Sequence, residues 1–176
     1  ASLGGLTSML LAGELARVGG ARLVLVSRTL SPARHDRIRE LEELGPEVLA
    51  VSADVTDVES MSRAIAAAEA RFGKITGVIH AAGTIDDSPI ELKERDGAAA
   101  VVAPKAIGAL VLEQVLDFSS LDFALLCSST SALLGPAGQS DYTAANAFLD
   151  AFAQHRTALG DKRTVAVNWG MWKEIG

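Results

Sequence analysis

The sequence is poor in cysteine, in basic charge and in long hydrophobic runs, and each shortage excludes a class of protein. Cys127 is the single cysteine, so an internal disulfide is impossible, and its apolar neighbours indicate a buried small side chain. Lysine and arginine total 16 against 22 acidic residues, and the net charge of −6 argues against nucleic acid or an anionic membrane as the main partner. No apolar run reaches about 18 residues, the length of a membrane span, and the N-terminus lacks the basic segment of a signal peptide. We therefore expect a cytoplasmic protein with no nucleic-acid or membrane partner.

Metal and hydrolase chemistry also lack their usual residue patterns. No group of histidine, cysteine, aspartate and glutamate has metal-ligand spacing, so no metal site is expected. Ser128 and Ser129 lack the glycines of a nucleophile elbow, which argues against a hydrolase triad. His80 ends an apolar run and is more typical of a structural histidine than of a catalytic base.

Short, continuously apolar runs alternate with longer amphipathic segments along the chain. Such runs are typical of parallel strands covered on both faces, and their alternation with helical patterns predicts an α/β fold with a doubly wound parallel sheet. The predicted strands are Leu23–Val26, Val48–Val51, Gly77–His80, Phe123–Cys127 and Val165–Asn168. Ligands of such sheets bind beyond the carboxyl ends of the strands. The residues expected at that edge are Ser27-Arg28, Asp54-Val55, Ala81-Ala82-Gly83, Ser128-Ser129 and Trp169-Gly170.

Local signals place the helix boundaries between these runs. Thr56 and Glu59 have the spacing of a capping box at a helix start. Ser88-Pro89 predicts another helix start, and Pro104 predicts a break between that helix and the following one. The last helix is predicted over about 142–159, ending at a glycine.

The two ends of the sequence interrupt the pattern. Gly4 and Gly5 precede a helix, but the strand that should lead into such a glycine turn is absent, and in the usual strand order it lies in mid-sheet. The chain also stops soon after a strand. We therefore treat 1–176 as one domain and expect it to be a fragment of a larger multidomain chain.

One group of polar residues has the spacing needed for carbonyl chemistry. Ser129 lies thirteen residues before Tyr142, and Asn146 lies four residues after it, so Tyr142 and Asn146 share one helix face. A serine at a strand end can meet the phenol there, which brings a proton donor, a polarising hydroxyl and an amide to one small space. Lys105, which follows Pro104, could supply the positive charge that makes a phenol a usable acid.

Several strand-end residues suit a dinucleotide. Gly4-Gly5 would let backbone N–H groups approach a pyrophosphate, although a simple turn is the alternative. Ser27-Arg28 offers an arginine and no acid at its strand end, which favours NADPH over NADH. Asp54 either accepts a hydrogen bond from an adenine amine or starts the turn into the next helix. The small residues Ala81-Ala82-Gly83 give a flat ligand close access to the backbone.

These motifs together resemble the ketoreductase domain of modular polyketide synthases, within the short-chain dehydrogenase/reductase superfamily and its Rossmann-like fold. The resemblance runs from 23–28 to 168–172 over almost the whole chain. In most of the superfamily a lysine follows the tyrosine by four residues. Polyketide ketoreductases carry asparagine there and draw the lysine from an earlier helix, which matches Tyr142, Asn146 and Lys105.

The resemblance implies a role for each residue. Tyr142 is implied as the proton donor, Ser129 as the hydrogen-bond donor to the ketone oxygen, and Lys105 as the holder of the cofactor ribose. Asn146 would hold a water or backbone group in a proton relay. The NADPH-binding residues implied are Gly4, Gly5, Leu6, Ser27, Arg28, Asp54, Val55, Ala81, Ala82, Gly83, Lys105 and Tyr142.

The resemblance also implies a substrate and partners. The substrate is a β-ketoacyl thioester on an acyl carrier protein, and the other partners are neighbouring polyketide synthase domains. Ile85-Asp86-Asp87 resembles the motif of B-type ketoreductases, whose product carries a D-hydroxyl group. Leu134 stands where the opposite type has tryptophan, and Trp169 completes the implied substrate and stereocontrol set with Asp86 and Asp87.

The glycine turn departs from the family pattern. Only Gly4-Gly5 remain of the glycine series, and a side chain at a position of close approach hinders a pyrophosphate. This departure motivates a second hypothesis, a non-reducing structural module that retains the fold. A third is a free-standing short-chain reductase that acts on an untethered ketone.

Overall fold

The computed structural model describes residues 3–18, 20–161 and 163–171 of the chain. The strands within these ranges are β1 (Arg22–Ser27), β2 (Glu47–Ser52), β3 (Gly77–His80), β4 (Phe123–Ser129) and β5 (Thr164–Trp169). The α-helices are α1 (Leu3–Val18), α2 (Pro32–Glu43), α3 (Val58–Phe72), α4 (Arg95–Val115), α5 (Ser131–Leu134) and α6 (Ser140–Ala158). Two short 3₁₀ turns cover Ile90–Leu92 and Phe118–Ser120.

All the strand pairs among the described residues are parallel, as the apolar runs predict. β1 pairs with β2, and β4 lies between β3 and β5, so the described strands form two hydrogen-bonded groups rather than one. Helix α3 contacts β1, β2 and α4 and so connects the two groups. The predicted α/β fold with parallel strands is confirmed, and the register aligns Ser129 with Trp169 at the carboxyl edge.

The main hydrophobic core lies between β4 and the helices α3, α4 and α6. Leu126 and Leu149 are 1% and 0% exposed, and Met61, Ala109 and Leu112 pack in the same cluster. Each fully buried leucine contributes about 1.5–3 kcal/mol relative to an exposed one. A second, smaller cluster joins α1, α2 and β1. The core therefore holds β4 and α6 firmly together, and these two elements carry the candidate site.

Helix α4 differs from the sequence prediction, because it continues through Pro104 without a break. A proline inside a helix leaves the carbonyl four residues earlier without its N–H partner. That carbonyl belongs to Ala100, an exposed residue, so water can satisfy it. The predicted helix start at Ser88-Pro89 is also wrong: it leads only to the short 3₁₀ turn, and α4 begins at Arg95.

The starts of two further helices differ from the predicted signals. Asp57, not Thr56, caps α3 by accepting the Ser60 N–H at 2.7 Å. Helix α6 begins at Ser140, two residues before Tyr142, and the short helix α5 was not predicted. Tyr142 therefore lies inside the first turn of α6 rather than at its start.

Helix α4 is long and apolar enough to cross a membrane by length and composition alone. The sequence analysis did not identify this candidate span, because it considered only unbroken apolar runs. In the fold, α4 packs against α3, α6 and β3 and buries Val101, Ala109 and Leu112. This is the arrangement of the core helix of a globular domain.

Candidate active site

The two serines at the end of β4 have different surroundings. Ser128 is 4% exposed, and its Oγ donates to the carbonyl oxygen of Asn146 at 3.2 Å. Ser129 is only partly buried, and its Oγ accepts the Ser131 N–H at 3.2 Å. A hydroxyl has one hydrogen to donate. Ser128 uses it within the fold, whereas Ser129 donates to no group among the described residues and so has its hydrogen available for a ligand. The structure thus separates a serine suited to a substrate from a structural one.

Tyr142 and Asn146 stack one turn apart on α6, as their spacing predicts. Asn146 is fully buried, and its Nδ2 donates to the Tyr142 carbonyl oxygen at 2.7 Å. Within the described part of the chain, no group donates to the buried Asn146 Oδ1. Thr143 Oγ1 donates to the Ser131 carbonyl oxygen at 3.3 Å, which ties the first turn of α6 to the segment after Ser129. Asn146 therefore contacts a backbone group, one of the two alternatives given by the resemblance.

Lys105 projects from α4 to the same place. Its Nζ donates to the Cys127 carbonyl oxygen at 2.7 Å and lies 5.9 Å from the centroid of the Tyr142 ring. Burial lowers the pKa of Lys105 to about 8, while the negative charge of Asp150 opposes that shift. The ammonium is therefore still mainly protonated at neutral pH and lies against the phenol ring.

Gly83 completes this group from the end of β3. A Cβ atom at Gly83 would lie 3.5 Å from Lys105 Nζ and only 3.1 Å from its Cε, the latter closer than most real contacts. The absence of a side chain therefore lets the Lys105 side chain pack directly against the backbone that follows β3. Ala82 and Gly83 are partly buried there, while Ala81 is 6% exposed.

His80 lies beneath Lys105 and contacts the main chain of α4. Its Nε2 lies 3.1 Å from the Lys105 carbonyl oxygen, and its ring lies against Gly108. Burial, followed by the charge of Lys105, lowers the pKa of His80 to about 4. The imidazole is therefore neutral at pH 7, and its contacts suit a structural histidine that holds the lysine-bearing segment of α4.

The ends of β1 and β2 form the second part of the candidate site. Arg28 is exposed, and its carbonyl oxygen accepts the Ser52 hydroxyl at 3.0 Å. Ser27 Oγ accepts a hydrogen bond from Arg34 at 2.6 Å, which holds that guanidinium at the end of β1. Sequence reasoning missed Arg34, because its contact with Ser27 appears only in the fold. Two arginines, Arg28 and Arg34, thus lie at this strand end.

Asp54 adopts the turn conformation that was one of its two predicted roles. Its Oδ1 accepts the Thr56 N–H at 2.9 Å and the Thr56 hydroxyl at 2.7 Å. These hydrogen bonds, helped by the charge of Arg28, lower the pKa of Asp54 despite some burial. Val55 packs against the position of Gly108 and joins the main core. The prediction that Gly4 and Gly5 precede the helix is wrong, because α1 begins at Leu3 and Gly4, Gly5 and Leu6 lie in its first turn.

The predicted stereocontrol residues lie on several segments. Asp86 and Asp87 are exposed, and Asp87 Oδ2 accepts a hydrogen bond from Gln139 at 2.8 Å, just before Tyr142. Leu134 is 77% exposed at the end of α5, and Trp169 ends β5 beside Ser129. Asp87 is thus connected to the α6 start, and Trp169 is paired with Ser129.

A polar cluster that the sequence reading did not identify lies beneath these residues. Asn168 Nδ2 donates to Ser128 Oγ at 3.2 Å, to the Ser129 carbonyl oxygen at 3.1 Å and to Asp150 Oδ2 at 2.8 Å. Asp150 follows Asn146 by one helical turn, so the spacing 142, 146, 150 was the available signal. The cluster joins β4, β5 and α6 and fixes the relative positions of Ser129 and Tyr142.

Comparisons with known proteins agree with this geometry. The model of the KR domain family matches residues 2–174. The chain is 38% identical over 175 residues to "Polyketide synthase PksM" of Bacillus subtilis (strain 168), covering 99% of this chain and 4% of that protein. It is 34% identical over 186 residues to "6-methylsalicylic acid synthase" of Penicillium expansum, covering 98% of this chain and 10% of that one. The chain therefore spans a small fraction of the length of these relatives.

Solved structures show the same relationship. An N-terminal ketoreductase from the macrolactin assembly line superposes with a TM-score of 0.89 at 34% identity, covering 95% of this chain and 35% of that chain. A ketoreductase domain from the bacillaene assembly line superposes with a TM-score of 0.88 at 35% identity, covering 97% of this chain and 42% of that chain. A short chain dehydrogenase from Mycobacterium avium gives 0.82 at 19% identity over 96% of this chain and 65% of that one, a likeness that shows the fold alone.

Proposed function

Because the chain belongs to the KR domain family, the ketoreductase domains of polyketide synthases, we propose that it reduces a β-ketoacyl thioester to the β-hydroxyacyl thioester with NADPH. Family membership supports reductase chemistry in general. The observation that carries the specific proposal is the placement of the Lys105 ammonium against Tyr142, with the backbone of Gly83 packed beside it. A phenol held next to a buried cation is suited to proton transfer to a bound ketone.

The residues at the carboxyl edge fit a dinucleotide. Because Gly83 has no side chain, the Lys105 stem and ammonium pack directly against the backbone that follows β3, which brings the cation to the edge where a dinucleotide would lie. Arg28 and Arg34 lie where a 2′-phosphate would need cations, and the strand ends in no acid. When bound, the nicotinamide supplies the hydride. Lys105 would hold the ribose hydroxyls, and Gly4, Gly5 and Leu6 would line the pyrophosphate at the start of α1.

Residues of the chain itself then transfer the proton. Tyr142 donates its phenolic proton to the ketone oxygen as negative charge develops there. Ser129 donates its free hydroxyl hydrogen to the same oxygen and stabilises that charge. Lys105, held by the Cys127 carbonyl oxygen, stabilises the phenolate that remains. The Asn146 amide is fixed on the Tyr142 carbonyl oxygen, and its buried Oδ1, to which no described group donates, is the acceptor that we assign to the relay that returns the proton.

The finer parts of the proposal concern substrate and partners. The ketone is carried as an acyl carrier protein thioester, and neighbouring polyketide synthase domains lie in the same polypeptide, as the names of the relatives suggest. Asp86 and Asp87, with Leu134 in place of a tryptophan, support a B-type product with a D-hydroxyl group. Cytoplasmic location stays a prediction from the sequence.

The test is reduction of a short β-ketoacyl thioester by the full-length polypeptide. We expect thioester-dependent oxidation of NADPH, a slower reaction with NADH, and one predominant D-configured product on chiral chromatography. Absence of reduction would contradict the proposal. If NADPH also fails to bind, the non-reducing structural module is favoured, whereas tight NADPH binding rules that module out.

A further inference from the structure

Two segments meet at the start of α6, and we call their meeting point the loop junction: residues 86–88, after β3, and residues 138–141, which lead into α6 and include its first two residues. The Ser88 N–H donates to the Gly138 carbonyl oxygen at 3.0 Å, and Gln139 Nε2 donates to Asp87 Oδ2 at 2.8 Å. The loop junction thus links a loop far away in sequence to the residues that lead into Tyr142.

Lys93 lies across this junction and contacts both of its sides. Its Nζ donates to the Asp86 carbonyl oxygen and to Asp141 Oδ2, the latter at 2.7 Å. The side chains of Lys93 and Asp141 are 7% and 3% exposed, less than those of any other ion pair among the described residues. A single buried ammonium therefore bridges the two segments.

The carboxylate of Asp141 connects Lys93 to the backbone of Tyr142. Its Oδ2 accepts from Lys93, while its Oδ1 accepts the Tyr142 N–H at 2.8 Å. Burying two charges costs several kcal/mol of desolvation per ion, so such a pair is weak evidence of a stabilising role. The position of the Lys93–Asp141 pair is better explained by its holding the two segments of the loop junction in a fixed geometry than by a gain in stability.

Two glycines allow the segments around the loop junction to pack closely. Gly138 has a φ of +81°, and a Cβ there would lie 3.7 Å from the Ser88 backbone, so the two loops approach closely. A Cβ at Gly97, in the first turn of α4, would lie 3.3 Å from Asp86 Oδ2. The segment 86–88 is therefore held between α4 and the start of α6.

The loop junction also shapes a cavity of about 420 Å³ with mainly apolar walls. One wall comes from residues 89–91, directly after segment 86–88, and the other from residues 135–138, 140 and 143. Because the walls belong to the two sides of the junction, any change in the distance between the sides changes the shape of the cavity.

We propose that Lys93 is a positioning residue that determines substrate specificity: by bridging Asp86 and Asp141 it fixes the cavity wall relative to Tyr142 and so fixes the direction from which the ketone approaches the phenol. This inference rests on the proposed ketone reduction. Lys93 does not touch the reacting atoms, so its loss acts on KM and on product configuration more than on kcat.

The test uses the full-length polypeptide and four variants. Lys93→Met removes the bridge, and Lys93→Arg retains a cation as the conservative rescue. The double variant Lys93→Met with Asp141→Asn removes the bridge without leaving a lone buried charge, in case the single variant does not fold. Arg37→Met is the matched control, because it removes a cation from an exposed ion pair with Glu40 on α2.

Two readouts are taken on each variant. Kinetics with a short β-ketoacyl thioester and chiral analysis of the product are expected to show, for the double variant, KM raised about tenfold and kcat changed less than about threefold, with increased minor enantiomer. Hydrogen exchange measured by mass spectrometry is expected to speed up in peptides covering 84–93 and 138–143. Lys93→Arg and Arg37→Met should match the parent in both.

Each outcome decides the inference. Hydrogen exchange at the parent rate in the double variant would show that Lys93 does not hold the two segments together. Faster hydrogen exchange with unchanged KM and unchanged product configuration would overturn the specificity role. If the parent itself reduces no thioester, the proposed function fails separately, and the exchange data still decide whether Lys93 holds the loop junction.

Discussion

The Lys105 ammonium lies 5.9 Å from the centroid of the Tyr142 ring, although the two residues come from different helices and are 37 positions apart in sequence. The Cys127 carbonyl oxygen holds the ammonium at 2.7 Å, and His80 holds the Lys105 main chain from below. This relationship, in which a buried cation is fixed beside a phenol at the end of a parallel sheet, is the structural basis of the proposed reduction.

Removal of the Lys105 charge should abolish most of the activity and leave the fold intact. We expect Lys105→Met to lower kcat/KM by about 10²–10³, the usual effect of losing one charge-stabilising group in an active site. Circular dichroism should show an unchanged fold, because methionine fills the space of the buried stem. Lys74→Met, at an exposed lysine, is the control and should retain parent activity. Activity within about twofold of the parent in Lys105→Met would contradict the assigned role.

The buried Lys105 should also make stability depend on alkaline pH. Its pKa is lowered from 10.5 to about 8, so between these values the unfolded chain holds a proton that the folded protein has lost. Stability therefore rises with pH across this window, and the cost of burying the charge is fully present below it. Urea unfolding of the parent and of Lys105→Met should show a difference that shrinks from pH 8 to pH 10.5. A difference independent of pH would contradict the burial of a charged Lys105.

His80 should make the stability of the fold depend on pH in the acidic range. Its pKa is lowered from 6.5 to about 4, so in this window the unfolded chain binds a proton that the folded protein does not. The resulting stability is fully present above pH 6.5 and is lost as the pH falls to 4. His80→Gln places an amide nitrogen in the same region and should lose less stability than the parent on acidification. Equal losses, measured by urea unfolding, would show that His80 is not buried in its neutral form.

Cofactor preference should depend on the two arginines at the end of β1. We expect Arg28→Ala and Arg34→Ala each to weaken NADPH binding by about tenfold or more, since a charge-assisted hydrogen bond contributes about 1.5–3 kcal/mol. NADH lacks the 2′-phosphate, so its affinity should change little. Isothermal titration calorimetry with both cofactors measures the preference, with Arg37→Ala as an exposed control on α2. An unchanged ratio of NADPH to NADH affinity would remove these arginines from the cofactor site.

The strands were predictable because their signal is local. Continuous apolar runs marked all five strands, and the predicted bounds of Gly77–His80 are those of β3. The helical spacing of Tyr142 and Asn146 likewise placed both on one face of α6. Such patterns need only neighbouring residues, so one sequence is enough to read them.

The errors and omissions depended on contacts made elsewhere in the fold. Pro104 did not break α4, because the helix packs on β3 and α6 and its orphaned carbonyl at Ala100 is exposed. Arg34 was missed because only the fold shows that its guanidinium reaches Ser27. Lys93 and Asp141 are separated by 48 residues and have no local pattern that would pair them. Tertiary packing, and not propensity, decided each of these features.

The most direct test of the account compares the parent polypeptide with Tyr142→Phe in the NADPH-dependent reduction of a short β-ketoacyl thioester. Phenylalanine retains the ring beside Lys105 and removes only the phenolic hydroxyl group with its proton, so folding and NADPH binding should match the parent. We expect kcat to fall by about 10²–10⁴, the usual contribution of a general acid. A Tyr142→Phe variant with parent-like kcat would contradict the assignment of Tyr142 as the proton donor.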